Sequence, residues 1–241
     1  MAFFVVMPVF QLSDTIYFPP PELAREDGLL AIGGDLSPQR LLLAYQMGIF
    51  PWYSAGDPIL WWAPTPRLVL IPQEFHCSRS LRRQLRQGFF SFSMDAAFPQ
   101  VIAACAAARS AQQHGTWINQ NMIEAYCQLH DLGYAHSVEC WHDGALAGGL
   151  YGVSLGGMFF GESMFSRLPN SSKAALAILC QQLVDWRFDG IDCQMKTEHL
   201  TSLGARDISG PNFFSLLQKS ILRSDRQGKW QLSSSLSQAA T

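Results

Sequence analysis

The chain has 241 residues, 48% of them hydrophobic, and carries 17 basic against 19 acidic side chains for a net charge of −2. This is enough chain for one large domain or a large and a small one, each with a buried core, and it excludes a disordered tail. No stretch reaches the roughly 18 apolar residues of a membrane span, and Met1 to Phe10 lacks the basic start and cleavage site of a signal peptide, so a soluble cytoplasmic protein with no membrane partner is expected.

The first 66 residues are rich in proline and aromatics (Tyr17-Phe-Pro-Pro-Pro21, Phe50-Pro-Trp-Tyr53, Trp61-Trp-Ala-Pro-Thr-Pro66) and read as a small N-terminal domain. Inside it a helix is signed over Pro38 to Met47: Ser37 suits the N-cap, Pro38 the first turn, and Gly48 the C-terminal stop. From Arg67 to Thr241, strand-like and helix-like segments alternate. The expected order is strand Leu68–Ile71, helix Arg79–Gln87, strand Phe89–Met94, then helices near Pro99–Ala108 and at Asn121–Leu132. Strands His136–His142 and Ala145–Val153 follow, joined by Asp143-Gly144, a strong hairpin signal, and then a strand at Met158–Phe160. Helix Ser172–Trp186, strand Gly190–Met195, helix Pro211–Lys219 and a polar frayed tail over 233–241 complete an α/β (α+β) pattern.

The six cysteines form no C-x-x-C pair and lie among apolar neighbours, so they read as reduced core residues. Cys140-Trp-His142 with His136 supplies too few ligands for a metal site, and no Walker-type loop follows Gly148-Gly149, so neither a metal nor a nucleotide cofactor is expected.

A set of short blocks, in order, carries more. These are Gly28-Leu-Leu-Ala-Ile-Gly-Gly-Asp-Leu-Ser37, Gly48-Ile-Phe-Pro-Trp52, Trp61-Trp62, Gly115-Thr-Trp117-Ile, Ala135-His-Ser137, Gly148-Gly-Leu-Tyr-Gly152, Gly161-Glu-Ser-Met-Phe-Ser166 and Ile191-Asp-Cys-Gln194. Over about residues 15 to 220 they resemble the leucyl/phenylalanyl-tRNA–protein transferases. The resemblance implies a small N-terminal domain before a GNAT-like (acetyltransferase-like) mixed-sheet domain. It also implies transfer of Leu or Phe from aminoacyl-tRNA to the α-amino group of proteins beginning with Lys or Arg, which marks them for degradation, without a cofactor. A coenzyme A-dependent acetyltransferase of the same fold and a non-catalytic RNA-binding module are the competing readings.

Asp192 and Gln194 stand two apart on a predicted strand, so they share a face while Ile191, Cys193 and Met195 take the other. An amide both accepts and donates, so Gln194 could accept from an attacking amine or donate to a developing oxyanion, with Asp192 orienting it. Asp192 itself is a poor proton acceptor: an ordinary carboxylate near 3.9 faces an α-ammonium near 7.7–8.0, a deficit of roughly 5 kcal/mol. Glu162 is a carboxylate placed to hold a cation, either the acceptor's side chain or the amino group of a reactant. Trp52 and Trp117 match the family's contacts to the terminal aminoacyl-adenosine, and Tyr126 is a third stacking candidate. Leu150, Phe159 and Met164 are candidates for the apolar donor pocket, with ordinary core as the alternative. Finally, Arg79, Arg82, Arg83 and Arg86 recur at i, i+3, i+4, i+7 with no acid between Glu74 and Asp95, which reads as a phosphate-binding stripe for the tRNA.

Overall fold

The computed structural model describes residues 9–110 and 117–233. Of the blocks above, Gly115 and Thr116 lie outside the described residues, as does the expected frayed tail beyond Ser233.

Short strands open the chain: β1 (Phe10–Leu12), β2 (Leu29–Gly33), β3 (Phe50–Pro51) and β4 (Leu60–Trp62) form a four-stranded sheet ordered β1-β2-β4-β3. β2 (Leu-Leu-Ala-Ile-Gly) and β4 (Leu-Trp-Trp) show no polar–apolar alternation, and β1 and β3 are too short to reveal any, so the sequence does not announce this sheet. Helix α1 (Pro38–Gln46) starts as its cap signals require, with Ser37 Oγ accepting from the Arg40 N–H.

A seven-stranded sheet follows, built from β5 (Arg67–Leu70), β6 (Ser91–Met94), β7 (Ala135–His142), β8 (Ala145–Leu155), β9 (Met158–Ser166), β10 (Gly190–Gln194) and β11 (Arg206–Ile208), in the order β11-β5-β10-β9-β8-β7-β6. The β7–β8 turn has positive φ at both Asp143 (49°) and Gly144 (74°), the geometry that Asp-Gly favours in tight hairpins. The helices are α2 (Arg79–Arg86), α3 (Phe98–Ser110), α4 (Gln120–Asp131), α5 (Ser171–Asp185), α6 (Glu198–Ser202) and α7 (Gly210–Ile221). The mixed α/β class expected from the sequence is the one found.

Strand alternation sorts the interior into two buried clusters. Tyr151, Val153 and Phe160 join Val101 and Ile102 of α3, Met122 and Leu129 of α4, Phe213 of α7 and the first sheet's Leu30 and Trp61. Their strand neighbours Leu150 and Phe159 join Leu176, Leu179 and Leu183 of α5 together with Leu81 of α2. After α7 the chain has no regular secondary structure from residue 224 to 233. This strap crosses the turn before β7, where the Gly228 N–H donates to Gly133 O, and a Cβ on Gly133 would come within 2.3 Å of Gly228 N. Both crossing residues are therefore restricted to glycine by space or by positive φ (80° and 99°).

All neighbouring strands of the large sheet run antiparallel except β9 and β10. That parallel pair is joined only from Gly190↔Met158 to Asp192↔Phe160, after which β9 runs on to Ser166 without it. Each strand carries a bulge just past the last shared pair: Glu162 is the extra residue of β9 against β8, and Cys193 that of β10 against β5. Bulges bend a strand and re-aim its side chains. Here two of them flank a fork in the sheet.

Candidate active site

The fork opens into a cavity of about 460 Å³. Its apolar wall is made by Leu150, Phe159 and Met164 from the central strands, Leu176 and Leu179 from α5, and Ile191 from β10; Trp52 and Trp117 line it from elsewhere in the chain, and Glu162, Cys193 and Gln194 from the two bulges. Seven of the residues singled out in the sequence thus meet at one place: Trp52, Trp117, Leu150, Phe159, Glu162, Met164 and Gln194. Trp52 is 38% exposed and packs edge-on against Trp62, whose indole N–H donates to Trp52 O at 2.7 Å. An exposed ring held from one side is a surface ready to stack on another π-face.

Glu162 is the polar centre. It is a buried residue inside β9, 6% exposed. Its Oε1 accepts from the Tyr45 hydroxyl at 2.8 Å and from Gln194 Nε2 at 2.8 Å, and its Oε2 accepts from the Tyr126 hydroxyl at 3.1 Å. The Tyr45 and Tyr126 hydroxyls also face one another, though with one proton each they do not donate to each other while both donate to Glu162. Burial pushes the Glu162 carboxyl up to about 7; the three hydrogen bonds pull it down and the nearby Asp192 charge pushes it further up. Both phenols are driven well above their usual value, first by burial and then by the Glu162 charge, and so stay protonated as donors. Because the Gln194 amide donates its N–H to Glu162, its carbonyl oxygen remains available to accept, with no partner among the described residues.

Asp192 departs from its expected place. It is fully buried and outside the cavity wall. Its carboxylate takes a bidentate pair from Arg67, Nε to Oδ1 and Nη2 to Oδ2, both at 2.8 Å. The same guanidinium donates to Gly48 O at 3.0 Å and lies between the rings of Phe50 and Phe213, 4.8 and 4.7 Å from their centroids. Asp192 does not touch the Gln194 amide; Glu162 holds that group. Instead Asp192 Oδ1 accepts the Gln194 backbone N–H at 2.9 Å and fixes the left-handed turn there, where φ is 63°. Such a conformation costs a non-glycine residue about 1–2 kcal/mol, which the Asx-type bond offsets.

Two further expectations are corrected. Cys193 does not turn away from Gln194, because the bulge breaks the alternation and both residues line the cavity. Burial raises its thiol far above the ordinary range, which leaves it protonated and a poor nucleophile. Tyr126 is no stacking platform: it is fully buried, edge-on to Tyr151, and serves to hold Glu162. Tyr45 and Arg67 went unnoticed in the sequence. Arg67, a lone cation in the apolar run Arg67-Leu-Val-Leu70, was the one legible sign that a buried anion awaited it.

Arg79, Arg82, Arg83 and Arg86 are all exposed along α2 while Leu81 is buried, as the helical spacing requires. They lie apart from the cavity: α5 presents Leu176 and Leu179 to the cavity, and Ala177, Cys180, Gln181 and Val184 to a second depression that Arg82 and Arg86 border. Among the described residues no group of three or more His, Cys, Asp or Glu is placed to hold a metal ion, and no helix is long and apolar enough to cross a membrane.

Comparison with known proteins decides the family. Residues 69–218 match the model described as leucyl/phenylalanyl-tRNA protein transferase, and residues 34–65 match that of its N-terminal domain. The chain belongs to the leucyl/phenylalanyl-tRNA protein transferase family. Its relatives include the leucyl/phenylalanyl-tRNA–protein transferase of Desulforapulum autotrophicum, 56% identical over 93% of this chain and 98% of that one. Another, from Desulfatibacillum aliphaticivorans, is 58% identical over 95% of this chain and 98% of its own. Among solved structures, that of L-PGS from Bacillus licheniformis aligns over 81% of this chain and 74% of that one, at 11% identity and a TM-score of 0.42. Both family matches fall on described parts of the cavity, since Trp52 lies in the N-terminal match and Glu162 and Gln194 in the other.

Proposed function

We propose that this chain transfers leucine or phenylalanine from aminoacyl-tRNA to the free α-amino group of cytoplasmic proteins that begin with Lys or Arg, tagging them for degradation. The 56–58% identity to transferases of that name supports the reaction class. One observation carries the chemistry: the Glu162 carboxylate and the Gln194 amide, bonded to each other, stand on the wall of a cavity that has a large apolar face and two tryptophans. Leu150, Phe159 and Met164 suit the donor side chain, and Trp52 and Trp117 suit the terminal adenosine.

In this reading the acceptor nitrogen attacks the ester carbonyl carbon, the bond to the ribose oxygen breaks, and the amide forms. The proton leaving the ammonium goes to Glu162. At about 7 that carboxylate lies within roughly one unit of an α-ammonium near 7.7–8.0, a cost of about 1 kcal/mol, against the roughly 5 kcal/mol an ordinary carboxylate would face. The second proton of the attacking nitrogen passes to the ribose oxygen, which leaves as a hydroxyl. Gln194, oriented by Glu162, offers its carbonyl oxygen to the attacking N–H, and Asp192 positions Gln194 through its backbone. The arginines of α2 supply phosphate contacts for the tRNA body. Residues 1–66 form the small domain that brings Trp52 and Tyr45, and 67–241 the catalytic domain, GNAT-like in its sheet.

The test is to mix the protein with tRNA charged with radiolabelled leucine and a peptide beginning with Arg. A labelled peptide longer by one residue supports the reading. Acetylation of the peptide by acetyl-coenzyme A, or tRNA binding with no product, would replace it with one of the two competing readings.

A further inference from the structure

We infer that Trp230, carried on the C-terminal strap, sets the depth of the apolar donor pocket by backing Phe159, and so determines which amino acid is transferred; this rests on the donor-pocket reading above. Trp230 is 2% exposed and is not part of the cavity wall. Its ring centroid is 5.9 Å from that of Phe159, which is part of the wall, so Trp230 forms a second layer behind it. Phe159 is also confined by the sheet. It lies against Gly152 of β8, where even a methyl group would come within 2.6 Å of the ring.

The strap places Trp230 by several independent bonds. Asp95 Oδ2 accepts the Trp230 N–H at 2.6 Å and the His136 Nδ1 at 2.8 Å, and the His136 ring stacks on the indole at 3.8 Å and 8°. Asp95 itself sits buried at φ 52°, with Oδ1 accepting from the Ser137 N–H at 2.8 Å. Trp186 meets the indole edge-on at 4.8 Å, and the indole N–H donates to Arg226 O at 2.9 Å. On either side, Asp225 takes the Gly156 N–H at 2.6 Å and the Ser233 N–H reaches Gln182 at 2.7 Å. A left-handed aspartate, a buried histidine and a stack are a costly way to seat one indole that touches no substrate. Their effect is to make the back of Phe159 rigid.

Trp230→Ala opens space behind Phe159, so the ring retreats and the pocket deepens. Initial rates with tRNA charged with Leu, Phe or Trp, and an Arg-starting peptide as acceptor, read this as ratios of kcat/KM. Since one methylene in such a pocket changes discrimination by 10- to 200-fold, the Trp-to-Leu ratio should rise by about tenfold or more, with Trp230→Phe in between. A folded variant that loses activity equally with all three donors shows a merely structural role for Trp230 and overturns the inference. If Trp230→Ala fails to fold by circular dichroism, Trp230→Phe decides by the same ratio. Failure of the wild-type chain to transfer from any of the charged tRNAs would instead overturn the reading of the cavity, and the inference with it.

Discussion

Glu162→Gln is the most informative single change at this site. Gln keeps the size and suits the network: its carbonyl accepts from Tyr45 and Gln194, and its amide donates to the Tyr126 hydroxyl, which in turn donates to Tyr45. What is lost is the titration. With the folded value raised from 4.5 to about 7, the native state holds a proton that the unfolded chain releases between those pH values. The unfolded state therefore binds fewer protons in that window, and stability falls as pH rises through it. The 2.5 units between 4.5 and about 7 correspond to about 3 kcal/mol once pH exceeds 7. The variant, free of that cost, should match the wild type near pH 4 and exceed its stability by about 3 kcal/mol at pH 8, measured by urea unfolding. Its single-turnover transfer rate should drop by 10²–10⁴ and lose the rise through pH 7 that the wild type shows. An equal stability difference at both pH values would refute the raised carboxyl. A variant that transfers normally would refute Glu162 as proton acceptor.

Asp192→Asn leaves Arg67 charged and buried without its anion, which should cost about 3–5 kcal/mol in urea unfolding; a loss of activity at unchanged stability would instead assign Asp192 a direct chemical role. Trp52→Ala should raise KM for charged tRNA by the equivalent of about 1–3 kcal/mol and leave the fold intact, since a 38% exposed ring is no core residue. Circular dichroism and initial rates check both halves of that statement. Replacing Arg82 and Arg83 together by Ala should flatten the dependence of log affinity for tRNA on log salt by up to about two. A slope unchanged in filter binding would remove α2 from the interface.

The long elements were legible because capping and periodicity agree in them. Ser37 and Gly48 bracket α1, Asp143-Gly144 makes the hairpin, and the arginine spacing puts its charges on one exposed face. The first sheet is not legible because β2 and β4 lack alternation and β1 and β3 span only three and two residues; the three-residue β11 and the short α6 escape for the same reason of length. At the site, the seven cavity residues legible in the sequence stand in the blocks that carry the resemblance or, for Phe159, on an expected strand. The misreadings of Asp192 and Cys193 share one cause: both stand where the β10 bulge breaks the alternation on which those expectations rested. A bulge depends on partners far along the chain, and one sequence does not reveal it. Tyr45 looks like a core aromatic, and Tyr126 like a stacking platform, until Glu162 is placed beside both.

The Arg67 guanidinium spans a seam. It joins Asp192 of the large sheet to the Gly48 carbonyl that follows α1, between one ring from each side, while Leu30 and Trp61 of the first sheet share a buried cluster with Val153 and Phe160 of the second. Neither sheet keeps a closed interior when the other melts. The chain should therefore denature as one cooperative unit, and heat inactivation should follow a single transition in which the tryptophan-bearing wall of the cavity and the Glu162–Gln194 pair are lost together.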